Sequence, residues 1–156
     1  MASYLIRYAL DPTLVMGVKD QQSGAQLVLR SIGDDPNLMI WNFSTLSPIL
    51  KLASVGGVGL CATIGTFNCG GTPILTLAAP LPKTDAKSAY QRWRTLGPTT
   101  FITSEGCPNR VADAQSRQVQ PGTPIWLYDY NGSPAQQWTF EALMASDVES
   151  AISPRG

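Results

Sequence analysis

Trp126 and Tyr128 stand two apart in the stretch PIWLYDY, interleaved with Ile125 and Leu127. Successive side chains of an extended chain point to opposite faces. If Ile125 and Leu127 enter a core, both aromatic rings turn outward, and an exposed pair of large rings more often has a ligand than not. The chemistry open to such a pair is stacking on an apolar face. Bond making needs other groups, and most of them are missing. The chain has no histidine, which excludes Ser-His and Cys-His nucleophile pairs and His-bearing metal sites. No phosphate-binding loop or dinucleotide glycine fingerprint is present. The 11 acidic residues are scattered over turns, not paired as a two-carboxylate hydrolase requires. We therefore read a non-enzyme with no cofactor and no metal.

The 11 acidic residues balance 11 basic ones over 156 residues. A neutral chain with no basic stripe argues against a nucleic-acid partner. No apolar run is long enough to span a bilayer, so membrane insertion is not expected. The opening MASYLIRYALDPTLVMG lacks the basic and apolar regions of a signal peptide. That leads to a cytoplasmic expectation, with release by some other route left open. Three cysteines, Cys61, Cys69 and Cys107, form an odd set, which fits a reducing compartment. Cys61 and Cys69 could pair across a hairpin; buried or half-buried free thiols are the plainer reading.

The elements that must hold the aromatic pair repeat. Gly24, Gly71 and Gly122 recur at intervals of 47 and 51 residues, and Trp41, Trp93 and Trp138 at 52 and 45. Each unit divides into four short β-prone runs separated by turn residues such as DDPN, EGCPN, PGTP and NGSP. Four short strands cannot bury both faces of their own sheet, so three such units must share a core. A β-sandwich gives no reason for the threefold period. The predicted fold is all-β: a β-trefoil of three pseudo-repeats, each of four strands, around a shared core. Its single domain takes residues 1–145, with subdomains of about 1–47, 48–97 and 98–141. Trp41, Trp93 and Trp138 are expected as core pillars around the pseudo-threefold axis. Residues 142–156 form a tail in which Leu143, Met144, Val148 and Ile152 fall roughly at helical spacing, which suggests a short helix.

Residues 107–140, CPNRVADAQSRQVQPGTPIWLYDYNGSPAQQWTF, resemble the ricin B-chain type (R-type) lectin repeat. The shared pattern is an Asp after apolar residues, then Gly-Thr-Pro, a strand with an aromatic, Asn-Gly, and Gln-x-Trp. The resemblance is moderate in the second unit and weak in the first. It implies a β-trefoil lectin that binds galactose or N-acetylgalactosamine-type glycans, mannose less often. It also implies residue roles. Asp113 matches the acid that accepts vicinal sugar hydroxyls. Tyr128 matches the stacking aromatic, and Trp126 falls where some bacterial mannose-binding trefoils carry theirs. Asn131 reaches the ligand or simply forms the Asn-Gly turn. Gln136 is expected to buttress Asp113 or the backbone. Two departures, Ala135 for the usual Asn and Trp126 for a common Gln, bear on which sugar fits.

The other units lack these groups. Counting back from Gly71 puts Ala62 at the acid position and Leu75 and Leu77 at the aromatic ones; in the first unit these are Gly17 and Arg30, with Leu38 and Met39 for the amide pair. One site is therefore expected, in the third repeat, unless the first unit binds by other means through Asp20, Arg30, Asp34, Asp35 or Asn37. A homodimer is expected, because a one-site protomer gains avidity by pairing. Two other readings stand beside the lectin. One is a β-trefoil protease inhibitor, similar to those of mushrooms, acting through the longer second-unit loop PLPKTDAKSAY. The other is a structural or dimerising trefoil that binds no sugar.

Overall fold

The computed structural model describes residues 2–53 and 59–152. The end of the predicted run ILKLASV and the terminal SPRG lie outside the described residues. Alternating patterns become strands whose inward side chains meet at one axis. Strand β1 (Ala2–Tyr8) pairs antiparallel with β4 (Trp41–Ser44) and with β13 (Gln137–Leu143). Strand β4 pairs with β5 (Ser47–Leu52), which lies against β8 (Trp93–Arg94). The wall closes through β10 (Thr103–Ser104), paired with β8, and β9 (Thr99–Phe101), paired with β13. The ninth predicted run is thus broken in two at Ile102, which is fully buried.

Three hairpins cap one end: β2 (Leu14–Val18) with β3 (Leu27–Ser31), β6 (Cys61–Ile64) with β7 (Leu75–Ala78), and β11 (Arg110–Ala114) with β12 (Ile125–Asp129). Single bridges Gln26–Thr76, Ile74–Trp126 and Val28–Pro124 join the hairpins in a ring. A closed barrel with three linked hairpins is a β-trefoil, and closure leaves few strand edges to aggregate.

The tryptophans state the symmetry in hydrogen bonds. Trp41, Trp93 and Trp138 are buried, and their indole N–H groups donate to Met16 O, Ala62 O and Ala112 O at 2.9, 3.1 and 3.1 Å. A buried indole needs one acceptor, and each repeat supplies the carbonyl of its own second strand. Ahead of each tryptophan runs a short 3-10 helix: Pro36–Leu38, Ala86–Gln91 and Pro134–Gln136. Asp35 and Asp85 cap the first two by accepting from Asn37 N and Lys87 N. The long second-unit loop therefore folds back as a helix that delivers Gln91 to the interior. After β13 comes helix α1 (Ala145–Ala151), whose Val148 and Ala151 pack with Ile40, Ala53 and Ile152.

The free-thiol reading holds for Cys61 and is corrected for the other two cysteines. Cys69 and Cys107 form a disulfide, with 5.7 Å between Cα atoms, while Cys61 is a buried free thiol. Cys61, the possible partner for Cys69 across a hairpin, lies inward on β6, whereas Cys69 sits in the exposed loop that meets the start of the third repeat. Among the described residues no helix is long and apolar enough to cross a membrane, and no group of acids and cysteines could hold a metal ion.

Candidate functional site

On the third hairpin Asp113 stands directly opposite Trp126, and Val111 opposite Tyr128. Ile125 and Leu127 are fully buried, so alternation turns Trp126 and Tyr128 to the other face. Trp126 is half-buried and Tyr128 is 37% exposed. Their rings are stacked, with centroids 5.3 Å apart and planes 12° from parallel. The Trp126 indole N–H donates to Asp113 Oδ1 at 2.9 Å, which locks the indole in place.

Gln136 holds the other carboxylate oxygen. Its Nε2 donates to Asp113 Oδ2 at 2.9 Å and to Asp129 O at 2.8 Å, and its Oε1 accepts from Asn131 N at 2.9 Å. Gln136 is fully buried, and each of its polar atoms is used. Asn131 is exposed, and its Oδ1 accepts from Ser133 N at 2.9 Å. That bond closes an Asx turn, and positive φ falls on Gly132 at 73°. The five predicted residues thus lie in one connected patch.

Burial raises the pKa of Asp113; hydrogen bonds from Gln136 and Trp126 and the charge of Arg117 pull the other way. Asp113 is 5% exposed, and each carboxylate oxygen has one protein donor. Ionised, such a group retains lone pairs for further donors. The patch can therefore offer acceptor sites beside an apolar ring face, the two things a ring-shaped polyol presents contacts for.

The symmetry corrects the counting in the second repeat. The tryptophan acceptors equate Met16, Ala62 and Ala112, so the acid position falls one residue later, on Gly17, Thr63 and Asp113. The bridges equate Val28, Thr76 and Trp126, not Leu75 or Leu77 with the aromatics. Leu75 and Leu77 are core residues. Gln91 repeats the role of Gln136: its Nε2 donates to Thr63 Oγ1 at 3.3 Å and to Ala79 O at 3.0 Å. In the first repeat Arg30 covers Gly17; a Cβ there would lie 2.8 Å from Arg30 Cγ and 2.7 Å from Leu38 O. Arg30 also pairs with Asp34 at 3.3 Å, Asp35 caps a helix, and Asp20 accepts from Gln21 N and Gln22 Nε2.

Two neighbours escaped the sequence reading. Arg110 pairs with Asp129 at 3.1 Å and donates to Cys69 O and to Gly71 O, the latter at 2.6 Å, tying the site hairpin to the disulfide loop. Tyr130 continues the alternation of Trp126 and Tyr128, a signal the sequence does carry.

Fold and site together define a β-trefoil with one acid-and-aromatic patch, in its third repeat. No protein-family model matches the sequence, and no curated protein matches it. Solved structures do. ThreeFoil, a designed 3-fold symmetric protein, matches with a TM-score of 0.75 at 15% identity, over 90% of this chain and 99% of its own. The earthworm R-type lectin C-half, solved in complex with GalNAc, matches with a TM-score of 0.69 at 13% identity, over 92% and 100%. A Polyporus squamosus lectin bound to a human-type influenza-binding epitope gives a TM-score of 0.65 at 14% identity, over 90% of this chain and 49% of that one. At these identities the likeness is one of fold.

Proposed function

We propose that this protein is a carbohydrate-binding lectin that recognises galactose or N-acetylgalactosamine-type glycans through the third repeat, without catalysis. The observation that carries the reading is the Asp113 carboxylate held between Trp126 N–H and Gln136 N–H, with the exposed Tyr128 ring stacked on that same indole. A hexose has hydroxyls on one edge and C–H groups on one face, so an acceptor beside a ring meets both. The fold shared with an R-type lectin solved with GalNAc supports the same direction. Single shallow sites of this kind bind at about the millimolar level, near −4 kcal/mol. Pairing of protomers would raise effective concentration, so the proposal includes a homodimer, which light scattering checks by mass. The Cys69–Cys107 disulfide fits a protein that works in oxidising surroundings after leaving the cytosol.

The test is a glycan array followed by galactose and N-acetylgalactosamine titrations of the wild type, Asp113→Ala and Tyr128→Ala. Binding by the wild type, and its loss in folded variants, is the expected result. A silent array with an intact fold rejects the lectin reading.

A further inference from the structure

Tyr130 is 54% exposed, yet it is not loosely held. Its backbone N–H donates to Asn109 O at 2.9 Å, which extends the β11–β12 ladder by one pair. Period-two alternation then puts Tyr130 on the face of Trp126 and Tyr128. Its ring and that of Phe101 form a T-shaped pair, with centroids 4.8 Å apart and planes at 81°. Gln136 clamps the chain on both sides of it: Nε2 to Asp129 O at 2.8 Å and Oε1 from Asn131 N at 2.9 Å. That amide also holds Asp113 at 2.9 Å. The group that orients the acid therefore orients Tyr130 as well.

A solvent-facing ring that packs on a neighbouring ring and is held on both sides of its backbone is preorganised for contact. Residues two apart on a strand advance about 7 Å, comparable with the step from one sugar ring to the next. We infer that Tyr130 is a second stacking subsite, and that the ligand is an oligosaccharide of at least two rings, not a monosaccharide. The inference rests on the lectin reading above: the first ring sits at Asp113 and Tyr128, and the second lies over Tyr130.

Calorimetric or NMR titrations of galactose against lactose, and of mannose against mannobiose, separate the two ideas. The wild type should bind one disaccharide at least fivefold more tightly than its monosaccharide. Tyr130→Ala should remove that advantage, a loss of about five- to tenfold, while leaving monosaccharide affinity unchanged. Tyr130→Phe, which keeps the ring and its Phe101 contact, should retain the advantage. Equal affinity for mono- and disaccharide, an undiminished advantage in Tyr130→Ala, or equal weakening of both sugars in Tyr130→Ala overturns the subsite. The last result would make Tyr130 a support for the first ring's site only. Absence of any sugar binding by the wild type overturns the lectin reading itself and the subsite with it.

Discussion

Asp113 is asked to be buried and charged at once. Burial raises its pKa, and the donors Gln136 and Trp126 offset part of that rise. A carboxylate that accepts sugar hydroxyls must be ionised, and an isolated Asp is half-protonated at about pH 3.9. Because the folded value lies higher, sugar affinity should fade as pH falls, with a midpoint above that of an ordinary Asp. Titrations of affinity across acidic pH check this; a midpoint at or below the ordinary value rejects it. Tyr8 raises the opposite question. Its hydroxyl is buried with no hydrogen-bond partner among the described residues, and its pKa is pushed up to about 12 by burial, then by the charge of Asp113. An unfolded Tyr loses its proton near pH 10, so between about 10 and 12 the folded state binds more protons. Stability therefore falls as pH rises through that window. Tyr8→Phe removes both the alkaline loss and the unsatisfied hydroxyl. Its Tm at neutral pH should rise by about 2–4 °C, as one unmet polar group costs about 1 kcal/mol or more.

The three hairpins show one element adapted three ways. The third places Asp113 under an aromatic pair. The second keeps the amide, Gln91, and gives it a hydroxyl, Thr63, so its interior bonding survives without an acid. The first replaces the amide with Met39 and lays Arg30 over Gly17. Gly17 is required by close approach: an added Cβ would stand 2.7 Å from the backbone oxygen of Leu38. Gly17→Ala should therefore destabilise the domain by about 1–3 kcal/mol, seen as a lower Tm, while the sugar binding proposed for the third repeat is left unaltered. An unchanged Tm would mean that the first repeat yields more readily than its packing indicates.

Across the whole molecule, the disulfide and Arg110 fasten the second repeat to the third next to the candidate site. The bridge closes a 38-residue separation, and constraint of an unfolded loop of that length contributes roughly 4 kcal/mol. The double variant Cys69→Ser, Cys107→Ser should lose stability of that order in denaturant titrations. Cys61 is a different kind of cysteine, with a thiol pushed up to about 11 by burial. Thiol reagent at neutral pH should find no reactive group in the native chain, one after unfolding, and three after unfolding with reductant. Two or more thiols without reductant would contradict the bridge.

The fold was legible in the sequence because it is written three times. Three spaced tryptophans, with turn residues between short alternating runs, leave few ways to bury a threefold pattern. The placement of Trp126 and Tyr128 was legible for the same reason, since Ile125 and Leu127 fix which face turns inward. What the sequence could not show was register between repeats. A one-residue offset of Gly71 itself hides Thr63 behind Ala62, and only the indole-to-carbonyl bonds and hairpin bridges reveal it. Pairing of cysteines was equally out of reach, because Cys69 and Cys107 belong to different repeats and meet only when the hairpins gather around the axis. The same holds for Gln136: local residues determine that it turns inward, but tertiary packing decides that one amide binds Asp113, Asp129 and Asn131 together. Periodicity is a local property of the chain; contacts between repeats depend on how three separate hairpins close on one another.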